Sequence, residues 1–390
     1  MTAVIPATEI TEKKDGTTVE KFKATVGPAA VTDDLLASVS WEPEETRSAT
    51  TILTDHSYST VVSRDDDIIV LPIAEALVTY PWVQDLMFKL VDPESDPVLR
   101  RAFQSTREPY GTFTWEKPGA HVELPHQSFT VMTKPQEHQF VHDITVIGAG
   151  AVVDSVSGSA VAPGLSHGTH VSIGETYIDD GAQVRSIDVD RWGKEMSVHT
   201  WDHTIVGKDA SMSSVSVAIS GLKECRSHSV TEIGEGSTCT NHMIVFAPEG
   251  TDREMTSRIE LTGPGAQAEE VARMISDGGR IRNNTTLAST SADVNGFLEC
   301  DGLLLRDGGE IESVPALDAK VARAQLSHEA SVGMIDDEKL DYLQSLGMTE
   351  DEARDLIVHG FLNLDDDRIP SSVRARVEEL VTAARGAEKM

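Results

Sequence analysis

The chain is 390 residues long, 39% of them hydrophobic and 5% aromatic, with 64 acidic against 33 basic side chains and a formal net charge of −31. That length admits one large domain or two to three ordinary ones, and so acidic a surface repels phosphate backbones, which excludes nucleic acid as a partner. The charge itself reads as a solubility device or, equally, as adaptation to a salty cytoplasm.

In chain order, residues 1–15 alternate apolar and charged side chains and lack the continuous apolar stretch of a signal peptide. Residues 1–118 read as a mixed α/β region. Asp33 or Asp34 caps a short helix bearing Leu35, Leu36 and Val39, stopped before Pro43. After Pro72, residues Ile73, Ala76, Leu77 and Tyr80 stand at helical spacing. Pro81 interrupts the pattern, and Val83, Leu86, Met87 and Leu90 continue a similar stripe to Pro93. Residues 68–83 form the most apolar span, but Pro72 and Glu75 break it and it is too short to cross a bilayer, so no membrane segment is expected. A further helix is expected over residues 97–104, carrying Arg100 and Arg101.

The texture changes over residues 119–318. Short apolar runs alternate with Gly, Asp and Ser, and similar pieces recur around Gly148, Gly174, Gly207, Gly234 and Gly263. These glycines lie 26, 33, 27 and 29 residues apart, a length that suits one coil of a β-helix with glycines at the corners. Scarce aromatics are compatible with it, because Val, Ile and Ala stack in layers without large rings. A β-sandwich with ordinary glycine turns is the alternative. Residues 266–275 read as a helical excursion from the stack.

Several local motifs fail. Val206-Gly207-Lys208-Asp209 ends like a phosphate loop, but Asp202 and Asp209 occupy its first glycine and hydroxyl positions and would repel phosphate. Gly148-Ala149-Gly150 lacks the third glycine of a dinucleotide fingerprint. The pairs His138/His142 and His199/His203 can share a strand face, as can His167 with His170, yet no further ligand stands at a characteristic spacing. The serines between 211 and 216 sit in no nucleophile motif. The three cysteines, Cys225, Cys239 and Cys300, form neither a CxxC pair nor a disulfide framework, which points to reduced thiols and a cytoplasmic location.

Residues 319–390 turn helical. Asp336 caps a helix with Leu340, Leu343 and Leu346, closed by Gly347. Thr349 and Glu352 have capping-box spacing ahead of Ala353, Leu356, Ile357 and Phe361. A third stripe, Val373, Val377, Leu380, Val381 and Ala384, follows Pro370. These faces pack on one another, on the end of the β-helix, or on a partner protein.

The most distinctive segment is Gly296-Phe297-Leu298-Glu299-Cys300-Asp301-Gly302-Leu303-Leu304-Leu305. It reads as a strand with Leu298, Cys300 and Leu304 on one face. Downstream comes Leu326-Ser327-His328-Glu329-Ala330-Ser331-Val332-Gly333, at the expected junction into the helices. A thiolate, an imidazole and a carboxylate can therefore meet near that boundary. From the residues alone, Cys300 is as readily a small buried hydrophobe, and His328 and Glu329 as readily cap or salt-bridge the first terminal helix.

The run from Cys300 through Pro315-Ala316-Leu317 to His328-Glu329-Ala330-Ser331-Val332-Gly333 resembles the carboxy-terminal core of the SufB/SufD family of iron–sulfur cluster scaffolds. Leu340-Asp341-Tyr342-Leu343, Glu352-Ala353 and Val358-His359-Gly360-Phe361 extend the likeness. The resemblance implies a mainly β fold with a right-handed parallel β-helix core, an N-terminal α/β region and a C-terminal helical domain that docks the ABC-type ATPase SufC. It implies further that Cys300 matches the cluster-building cysteine, Glu329 its neighbouring carboxylate, and His328 the histidine contributed from across the dimer. All three in one chain suggest a homodimer, or a mixed dimer with a related SufB/SufD chain. A transient iron–sulfur cluster, of two or four irons, would be held there, with a sulfur donor and apo-protein acceptors as further partners. Mixed ligation by one thiolate, an imidazole and a carboxylate is weaker than four cysteines, as suits a site that must release its cluster. The rivals are an adaptor that clamps the ATPase without a cluster, and a hexapeptide β-helix acyltransferase, whose six-residue period is absent. Cys225 and Cys239 fall in no family motif.

Overall fold

The structure, a computed structural model, describes residues 31–135, 139–219 and 221–362. It is 54% strand and forms a parallel β-solenoid of about eight turns. The strands form two sheets, one of ten strands and one of nine. From Thr112–Glu116 onward they alternate between the sheets, so that each coil contributes one strand to each, and each pairs in parallel with the strand two positions away. His167–Ile178, for example, stacks in unbroken register on Glu195–Val206.

Period-two patterning explains these strands. In Gln183–Arg191 and Asn295–Leu304, alternate residues face the inside of the coil, and equivalent positions stack from coil to coil. One inner row of the ten-stranded sheet reads Ser155, Ser186, Ser214, Asn241, Glu270, Leu298 and His328. The next reads Ser157, Asp188, Ser216, Met243, Ala272, Cys300 and Ala330. The interior is therefore polar through most of its length and turns apolar near Cys300.

The coil corners recur more regularly than the glycine spacing suggested. Left-handed backbone falls at Gly150, Gly181, Asp209, Gly236, Gly265 and Asp293, 27 to 31 residues apart. Gly174 is not a corner: it lies inside strand His167–Ile178, where a Cβ would collide with the Asp202 carboxylate. Gly263 is needed for a different reason, because coils approach so closely there that a Cβ would strike the backbone of Glu235.

Four expectations are corrected. Residues 266–275 are not helical but belong to strand Gln267–Asp277, whose apolar run Val271, Ala272, Met274 and Ile275 is buried on both faces of the sheet. The stripe after Pro81 is a 3₁₀ turn, Pro81–Asp85, followed by irregular chain. The backbone N–H groups of Phe88, Leu90 and Val91 donate to the Glu175 carboxylate at 2.5–3.1 Å, taking donors a helix would need. The first helix, Asp33–Ala37, is capped by Thr32 rather than by either aspartate. Finally, strand Gln325–Met334 carries the solenoid into residues expected in the helical region. Its side chains are largely exposed, so the apolar alternation that marks a strand is diluted by Glu, Gln, Ser and His.

The two ends of the solenoid differ. At the first, Ala49–Thr54 pairs antiparallel with Ser57–Ser63, and Ile68–Pro72 pairs antiparallel with Thr112–Glu116, closing the stack. At the second, Gln325–Met334 and Glu310–Ala319 are the edge strands of their sheets. Helices Ile73–Thr79 and Pro97–Ser105 cover the outer face of the nine-stranded sheet, packing on Phe113, Trp115, Phe140 and Ile173. Helices Asp337–Ser345 and Glu350–Leu362 pack through Leu340, Ala353, Val358 and Leu362 against Leu303 and Leu305 on the other sheet. Both are capped as the sequence predicts: Asp336 accepts from the Glu338 N–H at 2.9 Å, and the Thr349–Glu352 box closes at 2.7 and 3.2 Å. The stripe after Pro370 and His138 lie outside the described residues.

Candidate functional site

Cys300 sits on Asn295–Leu304 with Leu298 and Gly302 on the inward side, while Glu299 and Asp301 face outward to Arg273. Its side chain is 1% exposed, among Val245, Ala272, Met274 and Ile281. The Asn283 amide donates to its sulfur at 3.5 Å. Burial pushes the thiol above its usual range, opposed in part by hydrogen bonds from neighbouring polar side chains. Within the single chain this is a protonated, shielded cysteine rather than a poised thiolate.

The last coil decides where the other two expected residues fall. Strand Gln325–Met334 lies on Asn295–Leu304 in register, with His328 opposite Leu298, Glu329 opposite Glu299 and Ala330 opposite Cys300. Paired residues of parallel strands project to the same side, and successive residues to opposite sides. His328 therefore continues the inner row and shares the inward face with Cys300, one strand across and two residues back. Glu329 belongs to the outward row above Glu299, near Arg273 and Asp301. His328 and Glu329 are both exposed, because no coil follows theirs. The structure thus gathers the three residues onto two adjacent strands at the open end but does not converge them within one chain. Among the described residues, no three His, Cys, Asp or Glu side chains are arranged to hold a metal ion.

One histidine of each pair named in the sequence makes a structural bond. His142 meets Glu175 at 2.8 Å, His203 meets Glu232 at 3.0 Å and the Leu90 carbonyl at 3.1 Å, and His170 meets Gln139 at 2.8 Å. Cys239 is buried in the apolar core, which pushes its thiol up to about 12.

The feature not anticipated from sequence is the interior itself. The middle coils enclose a cavity of about 580 Å³ lined by Ser155, Ser157, Ser186, Thr200 and Ser229 together with Asp143, Asp188, Asp190, Asp202 and Glu270. Enclosure raises these carboxyls: Asp190 reaches about 7 through burial and the neighbouring Asp188, and Asp202 about 7 through burial and the same neighbour. Glu270 is held by Asn241, Ser257 and Thr285 at 3.0–3.3 Å, where the polar interior meets the apolar plug around Cys300. The signal was present as alternating serines, at 155-157-159 and 214-216, which mark one polar face of a strand. Alternation alone does not say whether that face is solvent or lumen.

Comparison with known proteins adds an independent finding. The family model described as "SUF system FeS cluster assembly, SufBD core domain" matches residues 129–361. The chain is 30% identical over 93% of its length to an "Iron-sulfur cluster assembly SufBD family protein" of Methanothermobacter thermautotrophicus, covering 89% of that protein. It is 28% identical to a protein of the same description from Archaeoglobus fulgidus, over 92% of this chain and 96% of that one. A Pyrococcus horikoshii relative is 24% identical over 81% of this chain and 71% of its own length.

Proposed function

This chain belongs to the SufBD family of iron–sulfur cluster assembly proteins, and on that premise we propose that it is a scaffold on which a labile cluster is built at a junction between two such chains. In this reading the cluster is cargo. Cys300 binds iron as a thiolate or takes sulfane sulfur from a donor persulfide, whose own thiolate leaves, while His328 and Glu329 supply iron ligands from the terminal coil, one or both from across the junction. The partner chain is a second copy or a related SufB/SufD chain, working in the cytoplasm with reduced thiols. ATP is hydrolysed by a SufC-type ATPase docked on the terminal helices, where Tyr342, Leu346 and Leu356 leave apolar surface exposed. This chain would itself be no enzyme.

The observation that carries the reading is the terminal coil. Two edge strands, one from each sheet, leave their outer edges open at the end of the solenoid, and the one stacked on the strand of Cys300, Gln325–Met334, bears both His328 and Glu329. An unprotected edge invites another strand to pair with it. Apposition of a second chain there brings a second His328 and Glu329 toward the same end of the solenoid. The burial of Cys300 then has a role: it keeps the thiol protonated until the junction rearranges, and a motor that opens or closes that junction would gate its reactivity.

The same burial favours one other reading, an adaptor that clamps the ATPase and carries no cluster. Anaerobic reconstitution with iron and sulfide separates the two. A visible chromophore in the wild type, lost in Cys300→Ala and weakened in Glu329→Ala and His328→Ala, is the expected result. No chromophore in the wild type supports the adaptor.

A further inference from the structure

The inner wall of the solenoid is lined by hydroxyls and carboxyls, yet one full positive charge stands among them. Arg253, on strand Asp252–Leu261, lines the cavity and is 4% exposed. Its Nη1 donates to the sulfur of Cys225 at 3.6 Å. Its Nε and Nη2 have no protein acceptor among the described residues. A guanidinium presents five N–H donors and does not shed its charge. Enclosed with no hydrogen-bonded counter-charge, it is left under-compensated.

The strand register offers no internal solution, since Arg253 stacks between Cys225 and Ile281. Asp190 is close enough to feel the guanidinium, but burial and Asp188 outweigh that attraction and no hydrogen bond joins the pair. The thiol of Cys225 is pushed up by burial and supplies no thiolate. Two donors of a fixed cation thus face enclosed space.

We propose that Nε and Nη2 of Arg253, beside the Cys225 sulfur, bind a small soft monoanion of halide or hydrosulfide size inside the solenoid. The surroundings select that class. Cys225 packs with Met196, Trp192 and Val198, a polarisable and weakly hydrating wall. A phosphate or sulfate dianion would lose far more hydration there than a single guanidinium returns. A weakly hydrated monoanion loses little and gains a charge-assisted pair of N–H bonds. The site stands whether or not the chain carries a cluster.

The test is crystallography on the full-length protein soaked in sodium bromide, with data collected at the bromine edge. An anomalous peak within hydrogen-bond reach of Nε and Nη2 is expected in the wild type and should vanish in Arg253→Met. Asp190→Asn removes a competing negative charge and should lower the bromide concentration for half occupancy by on the order of tenfold. That variant keeps the test alive if Arg253→Met does not fold. Absence of a lumen peak in the wild type, alongside ordinary surface bromides, overturns the proposal, as does a peak that survives Arg253→Met. Anaerobic co-soaking with sodium hydrosulfide separates the sources: displacement of bromide assigns the site to hydrosulfide, and undiminished bromide assigns it to halide.

Discussion

Glu175 shows how much one enclosed carboxylate organises. Fully buried, it accepts the N–H groups of Phe88, Leu90 and Val91 and meets His142, tying an irregular N-terminal segment to the sheet wall. Removing it leaves three donors and a histidine without their acceptor, so Glu175→Ala is expected to cost roughly 3–5 kcal/mol in denaturant unfolding. A loss under about 1 kcal/mol would show that water replaces it at no penalty. Asp202 illustrates the opposite economy. Its carboxyl is raised from 3.8 to about 7 by burial and Asp188, so the folded chain holds a proton that the unfolded chain releases. Stability therefore falls as pH climbs from about 4 to 7, and the loss persists above. Asp202→Asn should stabilise the protein at pH 8 clearly more than at pH 5; an equal effect at both would sink that account. Cys300, His328 and Glu329 could be singled out from sequence because the run that holds them resembles the SufB/SufD core. Arg253 could not, because its significance lies in what fails to surround it.

At the scale of elements, the solenoid depends on close coil-to-coil contact at a few corners. Gly263→Ala places a Cβ against the Glu235 backbone, where nothing can swing aside. We expect a loss of roughly 2–4 kcal/mol by chemical denaturation, whereas the same change at Gly308, with no neighbour within 4 Å, meets only the strain of its left-handed backbone. Capped helices were legible because caps are local: Asp336 and the Thr349–Glu352 box sit where their chemistry predicts. Two elements were misread for the same reason in reverse. Strand Gln267–Asp277 buries both faces, so its periodicity is masked, and strand Gln325–Met334 exposes both, so its alternation is blurred. The terminal helices carry the prediction that belongs to this scale. If a SufC-type ATPase docks on them as proposed, a chain ending before Asp336 should lose co-purification with it while keeping strand-rich circular dichroism. Retained association would move the docking surface onto the solenoid.

For the whole molecule, 64 acidic side chains against 33 basic ones make self-repulsion a property of the entire surface. If the acidity is an adaptation to salt, circular dichroism should show loss of structure as salt falls from molar to millimolar; an unchanged spectrum leaves solubility as its role. Light scattering after size exclusion, with and without the ATPase, tests the paired state, and a monomer under both conditions argues against a junction at the open end. No helix among the described residues is long and apolar enough to cross a membrane. The sequence by itself determined the repeat, the strand-rich architecture and the caps of the terminal helices, because each is written in local spacing and short-range chemistry, and it carried the family through the resemblance of its last core segment. Only the tertiary structure decided that Cys300 is shielded, that His328 and Glu329 project to opposite sides of the last strand, and that the serine-rich faces enclose a cavity. The reason is geometric: alternation puts residues on one side or the other of a strand, but closure of the coil makes one side the interior, and the end of the stack makes its final strands an open edge.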